Sequence, residues 1–265
     1  MTKSSRLIFD KSNKINYKNK VEIFKKTKVL WMPVSVGQDY HELDKLLKAI
    51  KLVRKNLTHI TLIKVIIVDL AQKYHLAIKN NTSPEKMLYE AKKRGLSWKE
   101  SYAHLIKTGF KDISVEFYTW DEWLNRENYN QARQQIEILY NEKTNFKNHL
   151  EKDILEFELR YFNREGRYFT NIEKDYCREC IKEECAALIL WNNSQVSPDF
   201  IGIFYPKKIP KALGFIKQNF TNFLYMFAQF QNSKRNHSLM FQSWTSDSNL
   251  QNDKVPTIKY RKFSI

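Results

Sequence analysis

A serine, a strand-end aspartate, a cysteine trio and a basic helix are the places where this chain could carry chemistry. Ser35 stands in VLWMPVSVGQDYHELDKLLKAI, Val29 to Ile50, where an apolar run ends at the serine and a polar turn opens an amphipathic segment. A serine at the carboxyl end of a buried strand, followed by a glycine and a helix start, is where a nucleophile is exposed or a phosphate cradled. PVSVGQ approaches the GxSxG elbow, but Pro33 replaces the first glycine, and no Asp and His follow in contexts that complete a triad. Ser35 therefore reads either as a nucleophile or as the end of a buried strand. The dinucleotide pattern GxGxxG and the phosphate-loop pattern GxxxxGKS/T are absent.

Asp69 ends the run LIKVIIVD. It lies either beside the crevice where open α/β sheets bind ligands or in a cap or turn. Cys177, Cys180 and Cys185 share one short predicted helix, the first two as CxxC, with no second Cys or His cluster to complete a zinc site. They read as structural thiols in a reducing cytoplasm.

The 265 residues carry a formal net charge of +16, with a pI near 9.6. A polyanionic partner and a merely lysine-rich solvated surface both fit that balance. The basic charge is conspicuous in SPEKMLYEAKKRGLSWKESYAHLIK, Ser83 to Lys107, which opens with a Ser cap and a Pro at the first helical position. Lys86, Lys92, Lys93, Arg94, Lys99 and Lys107 there face three acidic residues.

The elements that would position these groups follow from the apolar pattern. Lys28 to Gly37 and Leu62 to Asp69 read as strands buried on both faces, because apolar residues run almost without alternation. Between them His41 to Leu57 has helical spacing, with Leu43, Leu46, Leu47, Ile50 and Val53 on one face. Further on come a strand at Ile113 to Thr119, a helical tract from Asp121 to Arg164 that breaks in two, a helix at Asn171 to Trp191 and a strand at Phe200 to Tyr205. From Pro210 we expect one helix and a terminal strand in VPTIKYRKF, with a loop over Ser233 to Asn252. Alternating strands and helices predict an α/β fold with a parallel sheet. A basic segment over 1–27 precedes a single domain over 28–265. No signal-peptide core and no apolar run of membrane-spanning length is seen, so a soluble cytoplasmic protein is expected.

Taken in order, VSVGQDYHE, a strand ending in IIVD, CRECIKEECA and FYP resemble the cyclodipeptide synthase family, in its Tyr-Pro branch, over roughly Val29 to Pro206. The resemblance implies a Rossmann-like fold similar to the catalytic domain of class I tyrosyl- and tryptophanyl-tRNA synthetases. It implies two aminoacyl-tRNAs as sequential substrates, and neither ATP, metal nor other cofactor. Ser35 matches the family nucleophile, which takes the aminoacyl group from one tRNA, is extended to a dipeptidyl-serine by the second, and is released when the dipeptide's amine closes the ring. Tyr205 matches a tyrosine beside the nucleophile, and Glu184 the glutamate that holds the substrate ammonium. Glu183, about 100° around the helix, is expected to be solvated. Cys180 stands where the family carries a Tyr, so it substitutes weakly, Tyr176 reaches in, or that hydrogen bond is missing. Gln38 and Pro206 mark the branch, and Gly37 belongs to the same turn. Trp31, Pro33, Ala187 and Ile203 match the wall of the first aminoacyl pocket, and the bulk of Trp31 and Pro33 predicts a small first residue such as Ala. Lys86, Lys92, Lys93, Arg94 and Lys99 match the tRNA-binding helix.

Two other readings stand beside this one. The first is an α/β-hydrolase-like esterase pairing Ser35 with a distant His such as His237. The second is a non-catalytic tRNA-binding domain of synthetase-like fold. The few large exposed apolar runs point to a monomer.

Overall fold

The run Val29–Ser35 forms strand β2 and Leu62–Val68 forms β3, and the two pair in parallel along their whole length, Val29 opposite Leu62 and Ser35 opposite Val68. The computed structural model describes residues 6–9, 22, 25–38, 41–193, 201–205, 209–221 and 223–229. The other described strands are β1 (Arg6–Phe9), β4 (Ser114–Thr119), β5 (Ile201–Phe204) and β6 (Phe223–Gln229). They lie in the order β1-β6-β5-β2-β3-β4. Every neighbouring pair is parallel except β1 with β6. The described helices include α1 (Leu43–Asn56), α2 (Gln72–Lys79), α3 (Leu88–Gly109), α4 (Trp120–Leu124), α5 (Tyr129–Glu142), α6 (Thr144–Glu165), α7 (Asn171–Asn193) and α8 (Lys211–Phe220). This is the α/β architecture with a parallel sheet that the alternating pattern predicts, and the Rossmann-like arrangement that the resemblance implies.

The continuous apolar runs are explained by a core on each face of the sheet. Leu30, Met32 and Val34 point into a core completed by Leu46, Ile50 and Val53 of α1 and by Trp98 and Ile106 of α3. Trp31, Ile66 and Val68 point the other way, into a core shared with α5, α6, α7 and α8. Among the described residues no helix is long and apolar enough to cross a membrane.

Several elements differ from expectation. The basic N-terminal segment contributes β1, and the tract after Pro210 contains β6 as well as a helix. A short apolar run such as that of β6 has no period that separates strand from helix. Helix α2 was not foreseen. The long tract forms α4, α5 and α6; extended backbone at Lys143 separates the last two, and Gly166, in the left-handed region at φ 75°, ends α6. Lys86 belongs to a 3-10 turn, Glu85–Met87, ahead of α3. The terminal strand VPTIKYRKF and the Ser233 to Asn252 loop lie outside the described residues.

Candidate active site

From β2 the chain builds β3 and β4 to one side and places β5 and β6 on the other. The strand order thus reverses between β2 and β5, and in open α/β sheets the ligand crevice forms at the carboxyl ends of such strands. Ser35 closes β2, and Tyr205 directly follows β5, where its N–H donates to the Met226 carbonyl at 3.0 Å. Ser35 Oγ and Tyr205 Oη meet at 2.9 Å across the switch point.

The turn after Ser35 depends on glycine. Gln38 N–H donates to the Ser35 carbonyl at 3.3 Å, and Gly37 between them has φ 77°, a conformation that costs a side-chain-bearing residue free energy. His41 N–H then donates to the Gln38 carbonyl at 2.8 Å. This returns the His41 ring to Ser35, whose backbone N–H donates to Nδ1 at 3.1 Å.

On the same face of β2, exposure rises from Trp31 toward the carboxyl end. Trp31 is 0% exposed, whereas Pro33 and Ser35 are partly exposed. Trp31 packs on Trp123 at 5.2 Å and Trp191 at 5.5 Å between ring centroids. Ala187 and Ile203 are buried in the same core. Pro206 lies outside the described residues, as does His237.

Helix α7 runs back beneath this face, from Cys180, whose thiol donates to the Ala71 carbonyl at 3.7 Å, to Trp191 against Trp31. Burial, then Glu184, pushes the Cys180 thiol well above its usual range. Its hydrogen is directed to the backbone beyond β3. Tyr176 is half-buried against the core. Cys177 and Cys185 are also free and buried.

The two adjacent glutamates are the main correction. Glu183, expected in solvent, is 4% exposed and accepts from Trp120 Nε1 at 2.8 Å, Lys73 Nζ at 2.8 Å and Tyr74 Oη at 3.0 Å. A helix so apolar beyond Cys185 is buried nearly all round, and a 100° step does not reach water. Glu184 makes no hydrogen bond or ion pair among the described residues. Although partly exposed, it is desolvated by its surroundings, and with Glu183 and Asp153 nearby its carboxyl is raised to about 7. An ionised Glu184 therefore favours a cationic partner.

Asp69 is a cap. Its Oδ1 accepts from Leu70 N–H at 3.0 Å and from Trp120 N–H, at the start of α4, at 3.1 Å. Lys93 and Lys86 are exposed. Lys92 pairs with Asp121 at 3.0 Å and Arg94 with Glu90 at 2.9 Å, both at the surface, whereas Lys99 is half-buried.

His41, Glu183, Lys73 and Trp120 are site neighbours that motif reading missed. The all-apolar face of CAALILW was the available signal for Glu183. The return of His41 depends on a turn that leaves no periodic trace.

No protein-family model matches the sequence, and no curated protein matches it. Solved structures do match. A cyclodipeptide synthase from Fluoribacter dumoffii is 22% identical, with a TM-score of 0.71, covering 86% of this chain and 99% of that one. One from Candidatus Glomeribacter gigasporarum, bound to Phe-tRNAPhe, is 16% identical with a TM-score of 0.61, over 84% and 94% of the two chains. A Mycobacterium tuberculosis protein that relates cyclodipeptide synthetases to type I tRNA synthetases is 13% identical, with a TM-score of 0.57 over 86% and 94%. At such identities it is the backbone that is shared, and this chain has the cyclodipeptide synthase fold.

Proposed function

We propose that the chain joins two aminoacyl groups, delivered in turn by aminoacyl-tRNAs, into a cyclic dipeptide, with Ser35 as the acyl carrier, and that it belongs to the Tyr-Pro branch. The 2.9 Å contact of Ser35 Oγ with Tyr205 Oη at the switch point carries this reading. The likeness in fold to a synthase bound to Phe-tRNAPhe supports the choice of substrate.

Ser35 Oγ attacks the ester carbonyl of the first aminoacyl-tRNA; the bond to the terminal ribose breaks and the serine proton ends on the ribose oxygen. The Tyr205 phenol steers Oγ and donates to the oxyanion as it develops. Glu184 binds the ammonium of the aminoacyl-serine and takes its proton, a transfer suited to a carboxyl raised to about 7. The freed amine attacks the second aminoacyl-tRNA ester, giving dipeptidyl-Ser35 and a second free tRNA. The dipeptide's terminal amine then attacks the Ser35 ester, closing the ring and restoring the hydroxyl. Two tRNA esters are consumed and two amides formed, so no nucleotide hydrolysis is needed. Trp31 and Pro33 limit the first pocket to a small residue such as Ala, and Lys92, Lys93 and Arg94 attract tRNA phosphates.

Incubation with tRNAs charged with labelled amino acids, followed by mass spectrometry of the small molecules, tests the reading. A cyclic dipeptide is expected. Free amino acid alone would indicate an esterase, and binding without transfer a non-catalytic tRNA-binding domain.

A further inference from the structure

We propose that His41 is a positioning residue for the nucleophile, holding the Ser35 backbone by a hydrogen bond from its N–H to a neutral imidazole. This role rests on the reading of Ser35 as acyl carrier.

The described pairs between β2 and β5 are Leu30 with Gly202 and Trp31 with Ile203. Ser35 lies four residues beyond the last of them, and its N–H takes its acceptor from outside the sheet, His41 Nδ1 at 3.1 Å. A backbone N–H can only donate, so Nδ1 presents a lone pair and the ring proton sits on Nε2. The Ser35 carbonyl, 3.3 Å from the same Nδ1, is then a close approach rather than a second hydrogen bond.

His41 is itself held. Its carbonyl accepts from Trp98 Nε1 of α3 at 3.3 Å, and it is 3% exposed. Its ring meets the Tyr205 ring edge-on at 5.5 Å between centroids. One side chain thus touches both members of the Ser35–Tyr205 pair.

Two consequences follow. The position of Oγ depends on the Ser35 backbone, and a strand-end residue whose N–H lacks an acceptor would fray, so His41 keeps Oγ within reach of Tyr205. The Ser35 N–H, committed to His41, does not serve as an oxyanion donor, which leaves that task to groups such as the Tyr205 phenol. Trp98 ties the arrangement to the basic helix.

The test compares His41→Asn, whose side-chain oxygen falls near the Nδ1 position, with His41→Leu, which keeps bulk without an acceptor. Single-turnover acylation of Ser35 by saturating aminoacyl-tRNA should slow about 10- to 100-fold in the Leu variant and stay within about threefold of wild type in the Asn variant. The Kd for aminoacyl-tRNA should be unchanged in both. Exchange of the Ser35 amide hydrogen should accelerate in the Leu variant only. Leu at the wild-type rate, or Asn as slow as Leu, overturns the proposal. If a variant does not fold, the imidazole 15N spectrum of the wild-type protein decides: an Nε2–H tautomer with Nδ1 accepting is expected, and a proton on Nδ1 refutes it. Absence of any acyl-Ser35 in the wild type would instead sink the acyl-carrier reading, while the spectrum still judges the hydrogen bond.

Discussion

Ser35 and Tyr205 are 170 positions apart in the chain, and their hydroxyl oxygens are 2.9 Å apart in space. Strand order produces the contact, because β5 returns to lie beside β2 and leaves Tyr205 at the mouth of the crevice that Ser35 opens. Replacing Tyr205 by Phe retains the ring against His41 and removes the phenol. Single-turnover acylation should fall about 100- to 1000-fold, the usual loss when one oxyanion donor is removed, with little change in Tm. A Tyr205→Phe protein that acylates at the wild-type rate would remove the tyrosine from the mechanism.

Glu184 gives the protein a predicted pH signature. Its carboxyl is raised from 4.5 to about 7, first by burial and then by Glu183 and Asp153. Between those values the folded protein binds more protons than the unfolded chain, so this group's contribution makes stability fall as pH rises through the window. Glu184→Gln should flatten that dependence and be more stable than wild type above pH 7 by about 1–3 kcal/mol. Denaturant unfolding of both proteins at pH 5 and pH 8 checks it. In the wild type, dipeptide formation should rise with pH through about 7, as Glu184 becomes able to take the ammonium proton; the variant should lose that rise while still acylating Ser35.

Gly95 packs directly on the buried cap Asp69. A Cβ at Gly95 would lie 2.4 Å from both Cβ and Oδ2 of Asp69. Gly95→Ala must therefore push α3 from the end of β3, at a cost of about 1–3 kcal/mol, read as a lowered denaturation midpoint. Because Asp69 also holds the Trp120 N–H at 3.1 Å, loss of Trp fluorescence cooperativity should accompany it. An unchanged midpoint would show that helix and cap are not in firm contact.

The pairs Lys92–Asp121 and Arg94–Glu90 are exposed enough to exchange a carboxylate for a phosphate at little cost to the fold. Changing Lys92, Lys93 and Arg94 together to Ala should leave Tm nearly unchanged, weaken aminoacyl-tRNA binding, and lower the slope of log K against log salt by roughly 2–3. Filter binding across a salt series measures both. An unaltered slope would place the tRNA elsewhere.

The runs of β2 and β3 were legible because a strand buried on both faces needs apolar residues at nearly every position, and α1 because one face alone is apolar. Ser35 was legible as a strand-end serine, and its pairing with Tyr205 only through the family resemblance, since the contact itself depends on where β5 is inserted in the sheet. Glu183 was misplaced because a helical wheel assumes one wet side, and α7 around Glu183 is buried nearly all round. His41 carried no signal at all, its contact being made by a turn whose only visible requirement is Gly37. Asp69 left two readings open, and the tertiary approach of Trp120 and Gly95 decides between them.

The proposed role of Ser35 is to carry an acyl group received from tRNA. Its most direct test is the intact mass of the protein, acid-quenched within seconds of mixing with one aminoacyl-tRNA, with peptide mapping of any adduct. A mass increase of one aminoacyl group on Ser35 is expected, absent from Ser35→Ala and discharged when a second aminoacyl-tRNA is added. An unmodified Ser35 under conditions that yield cyclic dipeptide, or product from Ser35→Ala, would contradict it.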